Sequence, residues 1–174
     1  MSRDAAISRV TEYFEAGTFQ SDLAHLVTYR SESQSDAPEA RSECLRYLEE
    51  AMLPRLAALG FNCEIIDNPD PRGGPLLIGE RVEGDDLPTV LTYGHGDAVL
   101  GQDSMWREGL SPWEIVEEGD RLYGRGAADN KGQHLINIAA LEAVVAERGH
   151  LGFNTRIVLE MSEEVGSVGL PEVC

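Results

Sequence analysis

Three short stretches of the chain hold side chains that could act together. In "TYGHGDAV", His95 and Asp97 are two residues apart. In an extended backbone that spacing points both side chains to the same side. An imidazole so placed can bind a metal ion while the neighbouring carboxylate orients it through its second nitrogen. In "GRGAADNKGQ", Asp129 lies just before a helical pattern, where it could cap the helix or offer a carboxylate to a cation. In "LEMSEEVGS", Glu160, Glu163 and Glu164 follow an apolar run. Adjacent carboxylates repel, so such a pair is left in water or held by a divalent cation. In the second case one carboxylate binds the ion and the other acts on bound water.

These residues must be positioned by the elements around them. "DAAISRVTEYFEAG" and "FQSDLAHLVTYRSE" read as short amphipathic helices, and "APEARSECLRYLEEAMLPRLAALG" as a stronger one. Pro38 lies near the start of this last helix, Gly60 stops it, and Pro54 should kink it or shorten it. "FNCEII" and "PLLIGERV" read as strands, "LPTVLTYGH" as a buried central strand, and "PWEIVEEGDRLYG" as a hairpin turning at Gly119-Asp120. "NKGQHLINIAALEAVVAERG" is a helix apolar around much of its circumference, and "NTRIVLEM" a further buried strand. Strands alternating with helices predict an α/β domain with a mixed, largely parallel sheet flanked by helices. The candidate residues then fall at the carboxyl ends of strands, where open α/β sheets place their sites.

Composition narrows the chemistry. The 174 residues suffice for one domain, and 31 acidic against 14 basic residues give a net charge of −17. Such a balance argues against nucleic acid and against anionic membrane surfaces as partners. The three cysteines, Cys44, Cys63 and Cys174, have no C-x-x-C spacing, which disfavours a disulfide framework or a thiolate zinc site. Imidazole and carboxylate donors without thiolate suit a catalytic zinc or a related ion. Nothing reads as a signal peptide or membrane span, so a cytoplasmic location is expected. "GRGAADNKGQ" fails both the P-loop and the dinucleotide fingerprint.

In order and spacing, "GHGDAV", "DRLYGRGAADNKGQ" and "SEEVGS" resemble a family of di-metal metallopeptidases and deacylases. That family includes aminoacylase, acetylornithine deacetylase, succinyl-diaminopimelate desuccinylase, carboxypeptidase G and carnosinase-type dipeptidases. "WREGLSPWEI" resembles the segment that these enzymes carry between the first two motifs, and the resemblance runs from about Pro88 to Gly169. It implies a zinc-exopeptidase-like catalytic domain with two divalent metal ions, zinc first, with cobalt or manganese as alternatives. It further implies His95 as ligand of one metal, Asp97 as the acid orienting it, Asp129 as the bridge, Glu163 as general base and Glu164 as ligand of the second metal. The substrate would be a small peptide or N-acyl amino acid, with "LYGRGAADNKGQ" leaning to the dipeptidase branch, and the full-length form a homodimer. His134, His25 and His150 match no functional position, and Lys131, the sole lysine, is expected in a structural or supporting role.

The resemblance also implies two further ligands, a later acidic residue and a late histidine, together with a dimerising lid domain. After Glu164 only Glu172 and Cys174 are ionisable. Residues 1–174 are therefore expected to be the N-terminal part of such a catalytic domain, binding metal weakly and turning over little substrate alone. The rival expectations are a non-catalytic metal-binding or interaction fragment and a single-metal hydrolase.

Overall fold

A computed structural model describes residues 3–174. Helices α1 (Arg3–Glu15), α2 (Thr18–Val27) and α3 (Pro38–Arg46) come first. A π-helical segment (Tyr47–Met52) then leads directly into α4 (Leu53–Ala58). The predicted kink at Pro54 therefore takes the form of a π turn just before it. Proline has no N–H to donate, and the Leu53 N–H reaches back five residues to the Leu48 carbonyl. Gly60, at φ 79°, ends the helical run in the left-handed conformation that glycine adopts without strain.

Strands β1 (Asn62–Ile66), β2 (Leu76–Arg81), β3 (Thr89–His95) and β6 (Asn154–Glu160) form one sheet in the order β1-β2-β6-β3. β4 (Val116–Glu118) and β5 (Arg121–Tyr123) form the expected hairpin about Gly119-Asp120. Helix α5 (Lys131–Arg148) crosses from the hairpin back to β6. The four-stranded sheet is mixed, as the alternating elements imply. It is not largely parallel, however: β1–β2 and β2–β6 are antiparallel, and only β3–β6 is parallel.

Alternation along the strands turns Leu77 of β2 and Ile157 and Leu159 of β6 toward the helices. There they meet Leu23, Leu26 and Val27 of α2, Leu48 and Met52 of the π segment, Leu56 of α4, and Leu135 and Ile138 of α5. Each fully buried aliphatic side chain of this kind contributes about 1.5–3 kcal/mol relative to exposure. β3 corrects the expectation of a buried central strand: it is an edge strand, with Leu91 65% and Tyr93 45% exposed. A continuous apolar run fits a strand covered on both faces, but here the outer face of β3 carries no helix among the described residues. No helix among them is long and apolar enough to cross a membrane.

Candidate metal centre

The parallel β3–β6 pairing brings the first and third motifs together, because His95 and Glu160 are register partners at the strand ends. Just beyond His95 the chain runs close to its neighbours, and glycine makes the approach possible. The Gly96 N–H donates to the Glu160 carbonyl at 2.9 Å, and the Ser31 hydroxyl donates to the Gly96 carbonyl at 2.6 Å. A Cβ on Gly96 would lie 2.4 Å from the Tyr47 ring and 2.8 Å from Met161 Sδ.

His95 is buried, with its two ring nitrogens facing different carboxylates. Nδ1 lies 3.3 Å from Asp97 Oδ1 and 3.2 Å from the Asp97 carbonyl. Nε2 lies 3.0 Å from Asp129 Oδ1 and 3.8 Å from Glu163 Oε2. Fully buried Asp97 also accepts the Glu163 N–H on Oδ1 at 3.2 Å and the Glu164 N–H on Oδ2 at 3.1 Å. One carboxylate thus aims the imidazole and fixes the Glu-Glu turn. Asp129 does not cap α5: the cap position is Asn130, without a side-chain capping bond. Its carboxylate, three-quarters exposed, faces His95 instead.

The electrostatics of the cluster favour a cation. Burial opposes a charged His95, but Asp97, Glu163 and Asp129 outweigh it and raise its pKa to about 9. Burial pushes the Glu164 carboxyl up, as does Asp129, with His95 pulling in the opposite direction. Three carboxylates therefore lie beside one imidazole, with Glu164 feeling its charge, and they compete for positive charge. The donor chemistry, imidazole nitrogen with carboxylate oxygen, fits a divalent ion. Among the described residues, however, no group of three His, Cys, Asp or Glu side chains is arranged to hold a metal ion. The fit extends to donor type and pairing, and not to a closed set of ligands.

Supporting residues surround this centre. Glu160, which reads as one more carboxylate of the Glu-Glu motif, is fully buried and turned away from the cluster. It accepts the Tyr93 phenol at 2.6 Å, Ser167 at 2.8 Å and Ser162 at 3.3 Å, so it brackets the turn that carries Glu163 and Glu164. Three hydroxyl residues around an acid at a strand end were the available signal. Lys131 is fully buried, donating to the Leu26 and Tyr29 carbonyls at 3.1 and 2.8 Å, which matches its expected structural role. Burial pushes its pKa down to about 7. His134 is also buried, its pKa driven down to about 3 by burial and then by Lys131, and it contacts none of the cluster's carboxylates. A cavity of about 660 Å³ lies elsewhere, between Phe14, Phe19, Leu23, Leu122 and Ile136. The cluster itself is an open surface site.

A two-layer α/β fold with imidazole and carboxylates at adjoining strand ends is the architecture of a metallopeptidase catalytic domain. The chain is a member of the family described as Peptidase family M20/M25/M40, whose match covers residues 91–174. It is 34% identical to the Beta-Ala-His dipeptidase of Mus musculus over 164 residues, 89% of this chain and 33% of that protein. It is 33% identical to the succinyl-diaminopimelate desuccinylase of Nitrosospira multiformis over 117 residues, 67% of this chain and 29% of that protein. The crystal structure of human carnosine dipeptidase 1 superposes with a TM-score of 0.86 at 30% identity, covering 97% of this chain and 37% of that one. The chain thus spans about a third of the length of the curated relatives it matches.

Proposed function

We propose that this chain belongs to a metal-dependent hydrolase of amide bonds in dipeptides or N-acyl amino acids. The observation that carries the reading is the convergence on His95: Asp97 at Nδ1, with Asp129 and Glu163 at Nε2. His95, Asp129 and Glu164 would hold two divalent ions, zinc before cobalt or manganese. Bound there, the ions would acidify a water molecule and polarise the scissile carbonyl. Glu163 would take a proton from water as its oxygen bonds to the amide carbon, and would return it to the amine nitrogen as the C–N bond then breaks. Asp97 sets both partners at once, because it orients the His95 ring and anchors the Glu163 N–H.

The lack of a group of three such donors among the described residues supports weak metal binding by these 174 residues alone, with further ligands supplied by a later part of the same catalytic domain. The whole protein is read as a cytoplasmic homodimer. The same gap favours a second reading, a metal-binding fragment without catalysis of its own. Dipeptide and N-acyl amino acid hydrolysis, assayed with zinc on a chain extended through the complete domain, separates the two. The proposed function predicts metal-dependent turnover that Glu163→Ala abolishes. Metal uptake without any hydrolysis would leave only the second reading.

A further inference from the structure

Behind the cluster, a chain of hydrogen bonds, buried at its Tyr47–His134 end, joins β3 to α5 and to the π segment. The His95 backbone N–H donates to Asn130 Oδ1 at 3.3 Å. A backbone amide can only donate, so this bond fixes which end of the Asn130 carboxamide faces β3. The other end, Nδ2, donates to Gln133 Oε1 at 2.9 Å. His134 Nδ1 lies 3.2 Å from the same Asn130 Oδ1. Facing an acceptor oxygen, Nδ1 must carry the ring proton, which leaves Nε2 as an acceptor. Nε2 meets the Tyr47 hydroxyl in a short contact, and the phenol donates there.

The surroundings leave this chain little freedom. Tyr47 is fully buried and His134 nearly so. The Tyr47 ring is held edge-on by Tyr29 at 5.6 Å, and the Lys131 ammonium sits 5.1 Å from its centroid. A Cβ on Gly94 would stand 2.9 Å from His134 Cβ and 3.0 Å from Asn130 Oδ1, so glycine there lets β3 and α5 approach. A buried imidazole is costly unless both nitrogens are bonded, and an apolar side chain would fill the same space without that demand. Here each nitrogen has one partner, and the far end of the chain is the residue next to Asp129.

We infer that Tyr47 and His134 are positioning residues for the metal centre. Tyr47 donates to His134, His134 donates to Asn130, and Asn130 is thereby clamped against the His95 amide. The clamp sets Asp129, its chain neighbour, at the 3.0 Å separation from His95 Nε2. No proton is transferred; the relay selects one tautomer and one amide orientation. The inference rests on the reading of His95 and Asp129 as cation-binding residues.

The test uses the 174-residue chain in metal-free form and follows three signals. Imidazole nitrogen NMR reads the His134 tautomer, amide exchange reads the His95 N–H, and calorimetry with zinc alone reads affinity. The wild-type chain should show the Nδ1–H tautomer and a protected His95 amide. Tyr47→Phe should speed exchange at His95 by about tenfold or more through local opening. It should also weaken zinc by about 10- to 100-fold, as loss of an outer partner of a metal ligand does. Tyr29→Phe is the control: its ring packs on Tyr47, but its hydroxyl faces Glu50 at 3.4 Å, and neither signal should move. An Nε2–H tautomer in the wild-type chain overturns the inference, and reading it requires no variant. So does Tyr47→Phe with wild-type exchange at His95, or with faster exchange and unchanged zinc affinity. A wild-type chain that takes up no zinc refutes the metal reading instead, and the tautomer and exchange signals then decide the relay by themselves.

Discussion

Asp97 holds more of the site than any other side chain, since its two oxygens meet the His95 ring and two backbone amides of the Glu-Glu turn. Asp97→Ala would leave those N–H groups without their charged acceptor. We expect a loss of about 2 kcal/mol in denaturant unfolding, in the range for hydrogen bonds to charged groups. The cysteines give an independent check of burial. Burial raises the Cys44 thiol to about 12 and also pushes Cys63 up, whereas Cys174 is exposed. Near pH 8, alkylation of the native chain should modify Cys174 first, Cys63 slowly and Cys44 only on unfolding, because the thiolate is the reactive form. Mass spectrometry of the labelled peptides reads the order, and early labelling of Cys44 would contradict the packing of α3. At this scale the sequence spoke clearly about His95, Asp97, Asp129, Glu163 and Glu164 as a group, because motif spacing reports on chemistry. It named Glu160 only as one more carboxylate beside the Glu-Glu pair, and was silent about Tyr47 and Asn130. Their importance comes from partners 67, 87 and 35 positions away, which local patterns do not encode.

Elements position these residues through close approaches that tolerate little added volume. Gly96→Ala would drive a methyl group into the fully buried Tyr47 ring and Met161. Overpacking of this kind typically costs about 1–3 kcal/mol, which thermal unfolding can read. If Gly96→Ala melts like the wild-type chain, the approach after β3 is looser than described. The helices, the hairpin and β6 were legible from periodicity and from Pro38, Gly60 and Gly119, since those signals are local. The place of β3 in the sheet was not. Its apolar run was read as burial on both faces, yet β6 covers one edge only and Leu91 stays in solvent. Strand order is set by long-range pairing, and a run of apolar residues does not say which neighbour it will find. The π turn at Tyr47–Met52 was half legible, as a disturbance near Pro54 of unspecified form.

The molecule as a whole carries a net charge of −17, concentrated further where three carboxylates lie beside His95. Self-repulsion of that size should be relieved by salt, so the melting temperature should rise between about 0.01 and 0.15 M ionic strength as the Debye length shrinks. A flat or falling trend would show that the acids are already paired. The class of α/β domain was legible from the alternation of elements, and membership of the metallopeptidase family from three ordered motifs. The incomplete donor set was expected from the few ionisable residues after Glu164, and the distances agree, since no group of three such side chains is arranged for a metal among the described residues. The most direct test of the account is calorimetric titration of zinc into the metal-free chain, with Asp129→Ala and Glu163→Ala beside it. The account predicts weak, saturable binding by the wild-type chain, lost in Asp129→Ala and largely kept in Glu163→Ala, because the proposed roles are ligand for Asp129 and base for Glu163. Equal zinc affinity in Asp129→Ala and the wild-type chain would contradict it.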